Sequence, residues 1–267
     1  MRRGALVLLC MVACATAKTG VGGDANGTGS GTDGGNGSGA DAKPTAPDAN
    51  NCAKQPCSLA PQCGCGSGSA CQLDGSNLAT GGTTCLAAGS GGDDVTCSDD
   101  SKCKAGHGCV GGRCRAWCGG DGDCTSGPGA LCIIQVVYGS PQMDVPGAKV
   151  CTTDCDPSSK TPAGCPSTFG CHVYQESGGA MRYVTDCDPA GTVGAGGSCA
   201  TNGSRDCQAG MDCINVTRSG VTTAECHPSC ICPGNNCAAG SCPSGTGSCQ
   251  AFNPIVTIGT REYGTCL

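Results

Sequence analysis

The sequence predicts a small disulfide-rich protein: tandem small β-hairpin modules with little helix and no large hydrophobic core. Three observations carry this. Cysteine supplies 30 of the 267 residues and glycine 48, while Leu, Ile, Val and Phe together number only 32, about 12%. A chain with less than roughly 20% of those four residues buries too little apolar surface to fold unaided, and cysteine above roughly 8–10% marks a covalent scaffold. A conventional enzyme domain of this length around a single core is thereby excluded. Simple disorder is excluded too, because the cysteines supply the missing constraint. Finally, no window carries an i, i+3, i+4 apolar stripe, so helix has little support.

Residues 1–13 read as a signal peptide. Arg2 and Arg3 form its basic start and residues 5–13 (ALVLLCMVA) its apolar run, which is too short to span a bilayer. Two processing sites compete. Met11-Val12-Ala13-Cys14 looks like a bacterial lipobox, which implies lipidation of Cys14; Ala15-Thr16-Ala17 is an A-x-A site that starts the mature chain at Lys18. Residues 14–51 hold the candidate anchor and then a Gly/Ser-rich flexible tether (GVGGDANGTGSGTDGGNGSGADAKPTAPDANN). A tether directly behind Cys14 makes physical sense if Cys14 is anchored, so lipidation is the preferred reading and free secretion the alternative. The expected location is the outer surface or periplasmic face of the cell envelope, otherwise the medium.

The chain carries 15 Lys+Arg against 21 Asp+Glu, a net charge of −6, and loss of Arg2 and Arg3 takes it to −8. An acidic chain without a Lys/Arg block is unsuited to nucleic acid or anionic headgroups. Membrane attachment is therefore expected through the lipid alone.

The 28 remaining cysteines fall into six consecutive groups. Unit 1 (residues 52–85) holds Cys52, Cys57, Cys63, Cys65, Cys71 and Cys85; unit 2 (97–114) holds Cys97, Cys103, Cys109 and Cys114; unit 3 (118–151) holds Cys118, Cys124, Cys132 and Cys151. Unit 4 (155–187) holds Cys155, Cys165, Cys171 and Cys187; unit 5 (199–226) holds Cys199, Cys207, Cys213 and Cys226; unit 6 (230–266) holds Cys230, Cys232, Cys237, Cys242, Cys249 and Cys266. The extra pair in the first and last groups is what an array needs as caps, where one neighbour is missing.

Each unit closes on a segment that reads as a β-hairpin. Residues 172–175 and 181–185 flank a Gly-Gly turn, residues 214–217 and 221–224 flank Arg218-Ser219-Gly220, the apolar run 131–138 opens the third hairpin, and residues 255–258 lie in the sixth. Unit 2 has only the bare turn Val110-Gly111-Gly112-Arg113. Three residues join most units, but eleven join units 1 and 2 (86–96) and units 4 and 5 (188–198). Bends at these two glycine-rich joints divide the array into three segments.

Unit 2, CSDDSKCKAGHGCVGGRC, resembles the Dickkopf N-terminal cysteine-rich pattern, which is also met as repeats in cysteine-rich bacterial lipoproteins. The resemblance implies a small disulfide-held module and no catalysis. Four cysteines allow three pairings, and spacing does not choose among them. The working expectation is first to third and second to fourth, which interlocks each hairpin with its preceding loop.

Candidate chemistry is sparse. Structural zinc favours ligand pairs two to four residues apart, yet no Cys-x2-Cys occurs and the three Cys-x3-Cys pairs beyond Cys14, Cys114/Cys118, Cys151/Cys155 and Cys226/Cys230, straddle unit joints. No metal site and no cofactor are expected, and thiolate metal binding stands as an alternative function only. His107, His172 and His227 form no HExxH pair and read as solvated loop residues. Asp93, Asp94, Asp99, Asp100, Asp121 and Asp123 lack the D-x-D-x-D-G layout of a calcium loop and read as solvated turns. No serine stands in a G-x-S-x-G elbow, so no catalytic residue is assigned. Trp117, the single tryptophan, lies in the joint 115–117, where packing of two modules is favoured over a recognition role. The function expected is non-catalytic binding, adhesion or structure toward an unidentified surface or extracellular protein or glycan. The second alternative is a protease inhibitor presenting Arg218 at a hairpin tip.

Overall fold

The computed structural model describes residues 52, 56–160, 164–176 and 180–267. The signal peptide, Cys14 and the tether lie outside the described residues. The described chain consists of twelve strands with short 3-10 turns between them. Strands β1 (Ser69–Leu73) and β2 (Thr83–Ala87) form a hairpin, and β3 (His107–Val110), β4 (Arg113–Cys118), β5 (Ile134–Tyr138) and β6 (Met143–Val150) form a sheet of order β3-β4-β6-β5. A second hairpin, β7 (Phe169–Gln175) with β8 (Tyr183–Pro189), precedes a second sheet of β9 (Met211–Arg218), β10 (Val221–Cys232), β11 (Cys249–Ile258) and β12 (Arg261–Cys266), ordered β11-β12-β10-β9.

All 28 cysteines are bonded, and no bond leaves its unit. Units 2 to 5 carry the crossed pattern: Cys97 with Cys109 and Cys103 with Cys114, Cys118 with Cys132 and Cys124 with Cys151, then Cys155 with Cys171 and Cys165 with Cys187, Cys199 with Cys213 and Cys207 with Cys226. The end units repeat it as Cys57 with Cys71 and Cys65 with Cys85, and as Cys230 with Cys249 and Cys242 with Cys266. Each adds one bond, Cys52 with Cys63 and Cys232 with Cys237. Bonding this extensive belongs to an oxidising, exported environment.

The hairpins explain why the cross recurs. Cys71 stands opposite Cys85, Cys109 opposite Cys114, Cys171 opposite Cys187, Cys213 opposite Cys226 and Cys249 opposite Cys266. Directly opposed residues on antiparallel strands point to the same face. Both bonds of a unit therefore lie side by side on one face and clasp the upstream loop against it.

The long joints do not divide the array into three segments. They are laced to the next unit by equivalent backbone bonds. Gly89 N–H donates to Cys103 O and Gly191 N–H to Cys207 O, both at 2.8 Å, and parallel bridges follow at Gly91–Cys103 and Val193–Cys207. A β-carbon at Gly89 or Gly191 would sit 2.4 or 2.1 Å from the backbone it crosses, so glycine is obligatory there. The organisation is instead a duplication. A hairpin, a laced eleven-residue joint and a four-stranded sheet occur first as units 1–3 and again as units 4–6, with identical strand order.

The larger apolar side chains gather mainly in one cluster per block. Val173, Ile214, Val216, Phe252, Val256 and Tyr263 form the second; Leu59, Trp117, Val145, Ala148 and Val150 form the first together with Cys57 and Cys71. Elsewhere the core is mostly cysteine, joined by Ala130, Phe169 and Met211. Trp117 is buried, donates from Nε1 to Gln72 Oε1 at 3.2 Å, and lies so close to Gly108 that a β-carbon there would stand 2.1 Å from the indole. It packs units 1, 2 and 3 together. Trp117→Ala is expected to destabilise the first block by about 3–5 kcal/mol. Amide hydrogen exchange checks this: protection falls in β1, β3 and β6 and stays unchanged in β9 to β12.

Candidate functional site

Because disulfides occupy one face of each hairpin, the side chains beside the cysteines are available to join units, and here they are polar. Gln72, which follows Cys71, donates from Nε2 to His107 O at 2.6 Å; His172, which follows Cys171, donates from Nδ1 to Met211 O at 3.1 Å. Arg115, which follows Cys114, donates to Cys151 O at 3.1 Å, and His227, which follows Cys226, donates to Cys266 O at 3.1 Å. The same slots in the two blocks thus make the same links.

Between the blocks these links concentrate into a buried charge cluster. Asp186 on β8 accepts from Arg113 Nη2 (2.8 Å), from Arg115 Nη1 and Nη2 (2.9 and 2.6 Å) and from Thr153 N–H (3.1 Å). Asp94 accepts from Arg113 Nη1 and from the Thr153 hydroxyl. Two guanidiniums face two carboxylates, so the buried charge balances, the condition under which such a cluster is tolerated. Burial nevertheless pushes the Asp186 carboxyl up to about 7, against the pull of Arg113.

A cleft of about 310 Å³ lies beside this cluster. Residues 133–137 form one wall; Tyr174, Val184, Asp186 and Asp188 on the β7/β8 hairpin form the other, and Arg205 of unit 5 also lines it. Tyr174 Oη donates to Asp188, whose second oxygen accepts from Arg205 Nη2 at 3.0 Å. Burial, then the Asp188 carboxylate, hold the Tyr174 phenol well above its ordinary range, so it stays a donor. The cleft offers an apolar wall and a polar wall whose charges are internally matched.

Several expectations need correction. The three histidines are not solvated: His107, His172 and His227 are all buried, His172 completely. His107 Nε2 lies 2.8 Å from Asp93 and His227 Nε2 lies 3.1 Å from Glu225. The signal for His172 and His227 was their place directly after a hairpin cysteine. Of the six aspartates, Asp93, Asp99, Asp121 and Asp123 are exposed, as read, while Asp94 and Asp100 are half-buried, and even exposed ones are wired to the backbone. Asp100 accepts from Cys109 N–H (2.6 Å) and Asp121 from Cys132 N–H (2.9 Å), and Ser204 fills the same role for Cys213 (3.1 Å). Each stands three residues before its unit's second cysteine, so the side chain ties the loop to the hairpin. Asp99 caps its 3-10 turn through Ser101 N–H, and Asp123 accepts from Gly119 and Gly120.

Arg218 is not at the hairpin tip. The turn is Ser219-Gly220, and Arg218 ends β9 with Nη1 2.5 Å from Glu225 on the neighbouring strand. Cysteine sulfurs do gather in threes within 4.8 Å, as at Cys97, Cys103 and Cys114, but each is already in a disulfide and has no thiolate to offer.

Two outcomes follow. Asp186→Asn leaves Arg115 buried without a carboxylate and Arg113 with Asp94 alone, and is expected to cost about 3–5 kcal/mol at the block junction; proteolysis of the oxidised protein should then cut near residues 152–156, which the parent resists. Glu225 is held down to about 2 by Arg218, Thr223 and His227, below its usual 4.5. A carboxyl depressed in the folded state stabilises above its unfolded value and loses that contribution as pH falls toward 2. Protection factors in β9 and β10, measured against intrinsic exchange at each pH, should therefore fall between pH 4.5 and 2, and Glu225→Gln should remove that pH dependence.

No protein-family model, curated protein or solved structure matches this chain.

Proposed function

We propose that this chain is an exported, non-catalytic binding protein of the cell envelope, anchored through Cys14 and held away from the membrane by its tether. The observation that carries the binding role is the cleft between β5 and the β7/β8 hairpin, with its apolar wall, its matched polar wall and a volume in the range of ligand sites. Rigidity supports it, since crossed disulfides fix the walls before any partner arrives and lower the ordering cost of association. The export reading rests on the signal-like start and on the disulfides.

The apolar dye anilinonaphthalene sulfonate tests the site. One dye per chain is expected, with affinity about tenfold lower in Val137→Lys, the equivalent of losing one buried valine. Dye binding unchanged by that substitution overturns the assignment, and substrate turnover proportional to protein concentration overturns the non-catalytic reading. Intact mass tests the anchor. The exported protein should gain about 28 Da on reduction, two per bond, and carry diacylglyceryl mass at Cys14. Cys14→Ser should then move the protein from the membrane fraction to the soluble one.

A further inference from the structure

The cleft is bounded in two different ways. Five consecutive residues, 133–137, line one side; the other is lined by Val184, Asp186 and Asp188 at alternate positions of β8 and by Tyr174, Gln175 and Glu176 at the end of β7. Side chains on a strand face alternate. Alternate residues therefore mark the face of β8, and the unbroken run marks the edge of β5 and the residue before it. Strand β5 stands last in the order β3-β4-β6-β5, and among the described residues no other backbone segment bonds to its outer edge. Its side chains divide accordingly. Ile134, Val136 and Tyr138 pack on the Trp117 cluster, while Ile133 and Val137 line the cleft and belong to no core cluster.

An unpaired edge carrying apolar residues is a template for another strand. The sequence of residues 15–51 is a poor match for such a strand, because Val21 is its single Val, Ile, Leu or aromatic residue and it is rich in Gly, Asp, Asn and Ala, which strands disfavour. A compact small molecule would fill the apolar wall and leave the row of main-chain N–H and C=O groups of β5 unpaired. An extended peptide meets both. The opposite wall narrows the choice further. Asp186 is shared by Arg113 and Arg115, and Asp188 by Tyr174 and Arg205, so no unmatched charge waits for a partner.

We propose that the cleft binds an extended peptide segment of a partner protein, which adds as a fifth strand along the edge of β5 and turns uncharged, apolar side chains at alternate positions toward Ile133, Val137 and Val184. This rests on the binding role proposed above and names the partner's chemistry; the recognition mode is strand addition, in which main-chain bonds give affinity and the side-chain pocket gives selectivity.

The probe is a blocked seven-residue peptide alternating valine and threonine between terminal lysines, added to the oxidised full chain and followed by amide chemical shifts. Saturable shifts at residues 133–137 are expected, together with competition against the dye. Two versions carry N-methyl groups on alternate residues, one set on each edge of the peptide. The version methylated on the edge that faces β5 should bind at least tenfold more weakly, while the other binds as the parent does. Equal binding of both versions overturns the proposal, because it shows that main-chain pairing is absent. Dye bound in the cleft without any peptide binding overturns the peptide assignment and leaves the binding role standing. Neither ligand in the cleft overturns both. Val137→Lys gives a second readout: peptide affinity should fall about tenfold while the shifts of β9 to β12 stay those of the parent.

Discussion

Two disulfides on one face of each hairpin are the constraint on which the rest of the structure depends. In the six crossed pairs each bond closes between 11 and 27 residues of chain. A loop of about 15 residues closed this way removes roughly 3 kcal/mol of unfolded-state entropy in the chain-entropy model, and overlapping loops give less than the sum. This replaces what a hydrophobic core supplies elsewhere. It also relaxes the demand that buried positions be apolar, and the chain uses that freedom. Gln72, His172, Arg113, Arg115 and Asp212 are buried, and each holds units together by hydrogen bonds that an apolar side chain cannot make.

The duplication shows what those polar positions are for. Arg113 and Glu225 both precede the fourth cysteine of their unit, and Arg115 and His227 both follow it. In the first block the arginines reach outward to Asp186 of unit 4. In the second block the charge at the equivalent position is reversed and closes on itself, with Glu225 held by Arg218, Thr223 and His227. Unit 4 therefore covers the first block's face, while the matching face of the second block is a hollow of about 500 Å³ around Gly196, His227 and Leu267. One fold of three units thus carries two end faces, one built to accept a successor and one already satisfied.

Much of this was legible in the sequence. Cysteine spacing gave six units and the end caps, and Gly/Ser clusters between β-prone runs gave the hairpins, because turn chemistry and alternation act locally. The joints misled for a physical reason. Glycine at 89 and 191 reads as flexibility, yet its use is close approach of two backbones, which appears only when the crossing strand is known. The histidines, Asp94 and Asp100 misled in the same way. A polar residue beside a cysteine looks solvated when burial is judged by hydrophobicity, and in a disulfide core that criterion fails. His172 sits in the slot that Gln72 fills a block earlier, so a comparison of the two halves at the positions flanking cysteines carries the missing signal. The cleft was only partly visible: the apolar run 131–138 stood out, but its partner wall lies some 50 residues away on β7 and β8.

The site itself arises from how the joints are built. At the joints 115–117 and 227–229 the strand runs straight through, β4 into the next unit and β10 likewise, so neighbouring hairpins merge into one sheet. At 152–154 the chain leaves the strand. Thr153 uses its N–H, hydroxyl and carbonyl to bond Asp186, Asp94 and Thr185, which holds the β7/β8 hairpin beside the first sheet as a separate two-stranded sheet. A hairpin that does not join the sheet leaves that sheet's hydrogen bonding unextended, so β5 keeps an open edge among the described residues. With so few apolar residues in the chain, nothing fills the gap between that edge and the hairpin face. The three residues that join the blocks therefore fix both the charge cluster and the opening beside it, and a substitution at Thr153 acts on the cleft without lining it.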